Sequence, residues 1–191
     1  MNFNLNFFLG NYRNYLKEIF PQSLSYILNG ELIIKIPLHK LSNIMFFLKT
    51  HSQSQFKVLS DICAVDYPWK QSRFEIFYNL LSITFNSRIT VLACTDEQNS
   101  VNSITSIHSA AGWFERELWD LFGIYFQNNK DLRRILTDYG FKGHPLRKDF
   151  PLTGYIEVRY FQNEKRILIE EVSLTQEYRT FYFANTWKNI I

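Results

Sequence analysis

Between Asn128 and Gly154 the chain keeps its aromatic and aliphatic side chains but loses any sustained regular spacing between them. Asn128, Asn129, Gly140, Gly143, Pro145, Pro151 and Gly154 break up residues 128–154, so neither a helical nor a strand period runs for long. The same stretch holds Leu132, Ile135, Leu136, Tyr139, Phe141, Leu146, Phe150 and Leu152. A solvated linker sheds such side chains, because it buries too little to offset its ordering. An extended segment that retains them has a surface to lie on, its own or a neighbour's. This divides the chain into a conventionally folded part, residues 1–126, and an extended arm with a C-terminal tail, residues 127–191.

The folded part reads as α+β, a small mixed or antiparallel sheet with packed helices. Phe7, Phe8, Tyr12, Tyr15, Leu16 and Ile19 give a helix over 3–20, stopped by Pro21. Ser25–Leu28 and Leu32–Ile36 are strands around the hairpin dipeptide Asn29-Gly30. Pro37 opens a second helix, 38–50, with Leu38, Leu41, Ile44, Met45 and Leu48 on one face. Strands follow at Lys57–Val65, Phe74–Ile83 and Ile89–Thr95, with Asn86-Ser87 as a turn. A third helix starts near Ser103, with a break at Ala111-Gly112, and ends at Phe122 with Gly123 as its C′ residue. In the arm and tail, Tyr155–Tyr160 and Arg166–Glu170 read as strands, and Phe181, Tyr182, Phe183 and Trp187 form an aromatic tail.

No apolar run approaches the roughly twenty residues of a membrane span. The first twenty residues lack the features of a secretory or transit peptide, so a protein working in an organelle is expected to be made there or trimmed. Composition bears on that choice. Ile, Asn and Phe abound and Ala occurs five times. Helix propensity alone favours Ala, so the skew reads as the imprint of an AT-rich genome, such as an organelle's.

Chemistry is sparse. Cys63 and Cys94 sit in strand-like runs and read as two buried thiols; an iron–sulfur cluster needs four ligands, and a zinc site a CxxC-like clip. His39, His51, His108 and His144 form no ligand spacing and read as surface or hydrogen-bonded side chains. There is no GxGxxG, Walker loop or GxSxG elbow. Glu115, Arg116, Glu117 and Asp120 form the densest charged cluster. Its carboxylates suit acid–base work; the plainer reading is a polar helix face with an Arg116/Asp120 pair at i, i+4. Residues 130–160 carry the whole net charge of +3. Interleaved aromatics and cations suit single-stranded nucleic acid, but the mixed charges suit a protein interface better.

As a string, residues 113–160 say more. Glu115-Arg116-Glu117, Trp119 to Gly123, Leu132-Arg133-Arg134-Ile135-Leu136, Asp138-Tyr139-Gly140-Phe141, Gly143-His144-Pro145 and Arg147-Lys148-Asp149-Phe150-Pro151-Leu152 closely resemble the 30-kDa-type subunit family of respiratory NADH:ubiquinone oxidoreductase (complex I). Asn129-Lys130 departs from the family's usual His-Pro, which is expected to loosen that turn. The resemblance implies a core subunit of the hydrophilic matrix arm, with no catalytic residue and no cofactor of its own. It implies a complex that uses FMN, iron–sulfur clusters, NADH and ubiquinone. The implied partners are other complex I subunits, above all the large subunit that helps form the quinone cavity and the one carrying the last iron–sulfur cluster; nucleic acid is not among them. The implied place is the mitochondrion, on the matrix side of the inner membrane. Related subunits of ion-pumping hydrogenase-type complexes and an organelle RNA-associated protein are the alternatives. Arg133, Arg134, Arg147, Lys148 and Asp149 are expected to meet neighbours, or else to hold turns within the subunit.

Overall fold

A computed structural model describes residues 2–176 and 178–181, without the side chains of 2–8. The side chains of Phe7 and Phe8, and Tyr182, Phe183 and Trp187 of the expected aromatic tail, lie outside the described residues.

The first unit opens with helix α1 (Asn2–Ile19), strands β1 (Leu24–Leu28) and β2 (Glu31–Ile36), and a 3-10 turn at Leu38–Lys40 that leads into α2 (Leu41–Thr50). Then come β3 (Val58–Asp66), β4 (Phe74–Ser82), β5 (Ser87–Thr95), the short β6 (Val101–Asn102), α3 (Ala111–Phe122) and the short β7 (Phe126–Gln127). The main sheet has the order β1-β2-β5-β4-β3. All neighbours are antiparallel except β2 and β5, which run parallel, so the sheet is mixed. Asn29 and Gly30 both take positive φ, at 52° and 82°, and close the β1–β2 hairpin as their sequence requires.

One face of the sheet is apolar. Leu32, Ile34 and Ile36 of β2 stand in register with Ile89, Val91 and Ala93 of β5, and Phe74, Ile76, Tyr78 and Leu80 of β4 continue the layer. Leu16 of α1, Leu41, Ile44, Met45 and Leu48 of α2, and Leu118 and Phe122 of α3 belong to the same buried cluster. Each such side chain, fully buried, contributes about 1.5–3 kcal/mol.

Three expectations need correction. Residues 103–110 do not begin the third helix: they fold as turns, with His108 N–H bonded to Ile104 O at 2.8 Å, and α3 starts at Ala111. The cysteines are not both buried, since Cys63 is exposed and Cys94 half-buried on the face of the sheet turned away from the core. His108 is buried, with Nε2 lacking a hydrogen-bond partner among the described residues. The first compact unit extends to Phe150 and takes in residues 127–150 of the arm. The reason is that residues 128–150 are bonded back onto α3 and the sheet. Residues from Pro151 form the second unit, whose regular part is the antiparallel hairpin β8 (Ile156–Phe161) and β9 (Arg166–Glu171).

Candidate functional site

The signature residues gather around α3. Its last carbonyls lie beyond the reach of the helix's own N–H groups, as at any helix end; Gly123 takes the first of them and the strap of residues 128–150 the rest. Trp119 O accepts from Gly123 N–H at 3.0 Å, Asp120 O meets His144 Nδ1 at 3.0 Å, and Leu121 O accepts from Leu146 N–H at 3.1 Å. Phe122 O accepts from Arg147 Nε at 2.5 Å, which places a cation at the negative end of the helix. Gly123 serves twice. Its φ of 76° is left-handed, and a Cβ there would come within 2.6 Å of Arg147 Nη2 and His144 Nε2.

Asp120 fixes the middle of the strap. Its carboxylate, fully buried, accepts the N–H groups of Ile135, Leu136 and Thr137 at 3.2, 2.8 and 2.9 Å, and Thr137 Oγ1 at 2.7 Å. Arg134 Nη1 adds an ion pair at 3.3 Å. Burial pushes this carboxyl up, but the donors from Thr137, Leu136 and Ile135 outweigh it and hold it below the ordinary carboxylate range.

A second clamp holds the strap's end. Asp66, buried at the end of β3, is gripped by both forks of Arg73 at 2.7 and 2.8 Å and accepts Lys148 N–H at 2.8 Å. Arg73 also pairs with Asp149, at 3.0 Å, and with Glu97, which faces Arg147 at 3.7 Å. Both guanidiniums lie over the Phe74 ring, at 5.3 and 5.4 Å. Burial opposes ionisation of Asp66, but Arg73 and the Lys148 N–H win and lower its pKa.

Glu115 anchors the strap's beginning. It is buried, accepting from Ser103 Oγ at 2.7 Å, Ile104 N–H at 2.9 Å and Asn129 Nδ2 at 2.7 Å. Burial exceeds those bonds and raises its pKa. Asn129 Oδ1 also accepts Asp131 N–H at 2.9 Å, a side-chain bond that closes this turn.

The structure therefore brings together Glu115, Arg116, Asp120, Arg134, His144, Arg147 and Asp149, which hold the strap to its own unit. The expected Arg116/Asp120 pair is not formed. Asp120 turns to Arg134, while Arg116 donates to Arg133 O at 3.2 Å. Both sit in the interior because the polar face of α3 is roofed by the strap. Glu117 faces elsewhere, near Cys63. It shares no site with Glu115, so the acid–base pairing has no geometry behind it. Arg133, Asp138, Gly140 and the Lys148 side chain point to solvent. Asp66, Arg73, Glu97 and Ser103 escaped sequence reasoning. Asp66 did carry a signal, a carboxylate at a core-facing strand position that demands a partner.

Residues 34–156 match the family described as the respiratory-chain NADH dehydrogenase, 30 Kd subunit. The chain belongs to this family. It is 53% identical to NADH-ubiquinone oxidoreductase subunit 9 of Reclinomonas americana over 187 residues, 97% of this chain and 92% of that one. It is 55% identical to NADH dehydrogenase (ubiquinone) iron-sulfur protein 3 of Beta vulgaris over 148 residues, 78% of this chain and 77% of the relative. A chain from the structure of the membrane-bound sulfane sulfur reductase, an archaeal respiratory membrane complex, superimposes with a TM-score of 0.65 at 26% identity, covering 75% of this chain and 85% of that one. As a 30-kDa-type subunit, the chain is part of the hydrophilic arm of NADH:ubiquinone oxidoreductase, and the α+β fold is that of the family.

Proposed function

We propose that the chain is a cofactor-free assembly and support subunit on the matrix side of the mitochondrial inner membrane. It sits against the large subunit that helps form the quinone cavity and the subunit that carries the last iron–sulfur cluster. The observation that carries this reading is the β8–β9 hairpin. Ile156, Val158 and Tyr160 share one face with Ile167 and Ile169, and each is 54–69% exposed. A lone two-stranded hairpin is marginal in water, and a contiguous apolar face of this kind marks a contact surface. Leu136, Tyr139 and Leu146 of the strap are also exposed.

The Beta vulgaris relative is named an iron-sulfur protein. The donor set of this chain does not fit a cluster. The chain has two cysteines, on β3 and β5 with β4 between them, where a cluster needs four ligands. Among the described residues no three His, Cys, Asp or Glu side chains are grouped to hold a metal. In this reading FMN, the clusters, NADH and ubiquinone belong to other subunits. No helix among the described residues is long and apolar enough to cross a membrane.

The test is a hairpin variant, Val158→Asp with Ile169→Asp, followed on native gels. The chain should leave the large NADH-oxidising assembly and the intact assembly should diminish. Normal assembly of this variant, or a redox centre on the purified chain, would overturn the reading.

A further inference from the structure

We infer that the groove between the first turn of α3 and the start of the strap receives a carboxylate-bearing segment of a neighbouring protein chain. This rests on the assembly reading above and adds the chemistry of one contact. The groove has a volume of about 380 Å³ and is lined by Thr105, Ser109, Trp113 and three cations, Arg116, Lys130 and Arg133, against one carboxylate, Asp131.

Arg116 decides the sign of the occupant. It is only 9% exposed. A guanidinium that deep is ordinarily neutralised by a carboxylate at hydrogen-bond distance. Arg116 has a backbone carbonyl instead, Arg133 O at 3.2 Å, and its one ion-pair partner among the described residues is Asp131 at 3.9 Å. Asp131 is itself 56% exposed and held by Arg133 Nε at 3.0 Å. Glu115 is turned to other partners, accepting from Ser103 Oγ, Ile104 N–H and Asn129 Nδ2, and does not line the groove. The lining therefore keeps an excess of positive charge around a desolvated guanidinium, with Lys130 exposed on the rim.

Trp113 indicates that the carboxylate arrives on a polypeptide. Its indole is 67% exposed yet held by the Arg116 guanidinium, 5.0 Å from the ring. Tryptophan and arginine are both enriched among the residues that carry most of the energy of protein contacts, and stacking holds this pair in place. It offers an apolar face directly beside the cations. The occupant is therefore an Asp or Glu side chain flanked by an apolar residue, carried by another subunit.

A zero-length carbodiimide coupling on the intact assembly tests this, because it joins Lys130 Nζ only to a carboxylate in contact with it. The expected product is an amide between Lys130 and an Asp or Glu of another chain, absent from a Lys130→Arg variant. Amine-reactive labelling of Lys130 should fall about tenfold on assembly, as at a buried contact. The Lys130→Glu, Arg133→Glu pair should leave thermal melting of the chain unchanged and lower its incorporation about tenfold, the signature of lost charge complementarity. If the chain migrates with the assembly while Lys130 couples only within its own chain, or labels as readily as when free, the groove proposal falls and the assembly reading stands. If Lys130 is unmasked by nuclease or by delipidation, rather than by subunit dissociation, the occupant is another anion and the proposal falls. If the chain is not in the assembly at all, both fall.

Discussion

Asp120 holds Thr137 twice, through the backbone N–H at 2.9 Å and through Oγ1 at 2.7 Å. This couples a helix to a segment that has no regular structure of its own. The N–H groups of Ile135 and Leu136 converge on the same carboxylate, so one side chain does for the strap what a strand partner does for a sheet edge. Replacing it by alanine leaves three N–H groups without their acceptor. Asp120→Ala should destabilise the unit by about 3 kcal/mol, the scale of unsatisfied buried donors. Urea unfolding measures it. Trp119 reports on the strap, because its ring lies 5.8 Å from His144, and its fluorescence should change in the variant at pH 7.

Gly123→Ala addresses the next link. The left-handed φ of 76° alone costs a non-glycine residue about 1–2 kcal/mol. The added Cβ must also displace His144 and Arg147, both 2.6 Å away, and so uncap Asp120 O and Phe122 O. Loss of stability larger than the φ cost, together with faster hydrogen exchange at Leu146, is the expected result. A loss of no more than about 1 kcal/mol would show that the strap accommodates a side chain there.

Acid should undo the unit in two stages. His108 is buried, and burial with the nearby Lys49 charge lowers its pKa to about 4. Unfolded, it takes up a proton near pH 6.5. The unfolded chain therefore binds more protons between those values, and stability is lost as pH falls from about 6.5 to 4, by about 3 kcal/mol. Asp66 and Asp120 have lowered pKa values, so their contribution is present above the ordinary carboxylate value of about 3.9 and is lost below it. Glu115 has a raised pKa and acts in the opposite sense. Denaturant titrations at stepped pH should show the upper stage flattened in His108→Leu and the lower stage intact. An unchanged upper stage would remove His108 as its cause.

Much of this was legible in the residues and some was not, for a physical reason. Local signals held wherever the chain itself sets the geometry. Asn29-Gly30 made the hairpin, Leu41, Ile44, Met45 and Leu48 made the buried face of α2, and Gly123 ended α3. What failed were pairings between residues far apart in sequence. Arg116 and Asp120 are spaced for a helical ion pair, but the strap offers Asp120 five donors and Arg116 a carbonyl, and buried groups take the better partners. Helical spacing over 103–110 was overruled because Ser103 Oγ and Ile104 N–H are drawn to Glu115. The parallel β6–β7 pair, Val101 with Phe126 and Asn102 with Gln127, is too short to leave a pattern.

The inward and outward cations of the strap should separate in their effects. Arg134 bonds Asp120 and Gly143 O, the latter at 3.0 Å, whereas Arg133 is 71% exposed and, among the described residues, pairs with Asp131 alone. Arg134→Ala should therefore weaken the fold of the chain before any partner is involved, by about 1–3 kcal/mol. It should lower the amount of assembled complex while leaving the cofactor spectrum of each assembled complex unchanged. Arg133→Ala should leave the isolated chain's unfolding within about 0.5 kcal/mol of the parent, so that any deficit in assembly comes from the contact itself. Unfolding curves of the two variants, set beside native-gel yields and per-complex spectra, distinguish a strap that folds the subunit from one that only touches its neighbours. An Arg134→Ala chain that unfolds like the parent would place that arginine's role outside the subunit.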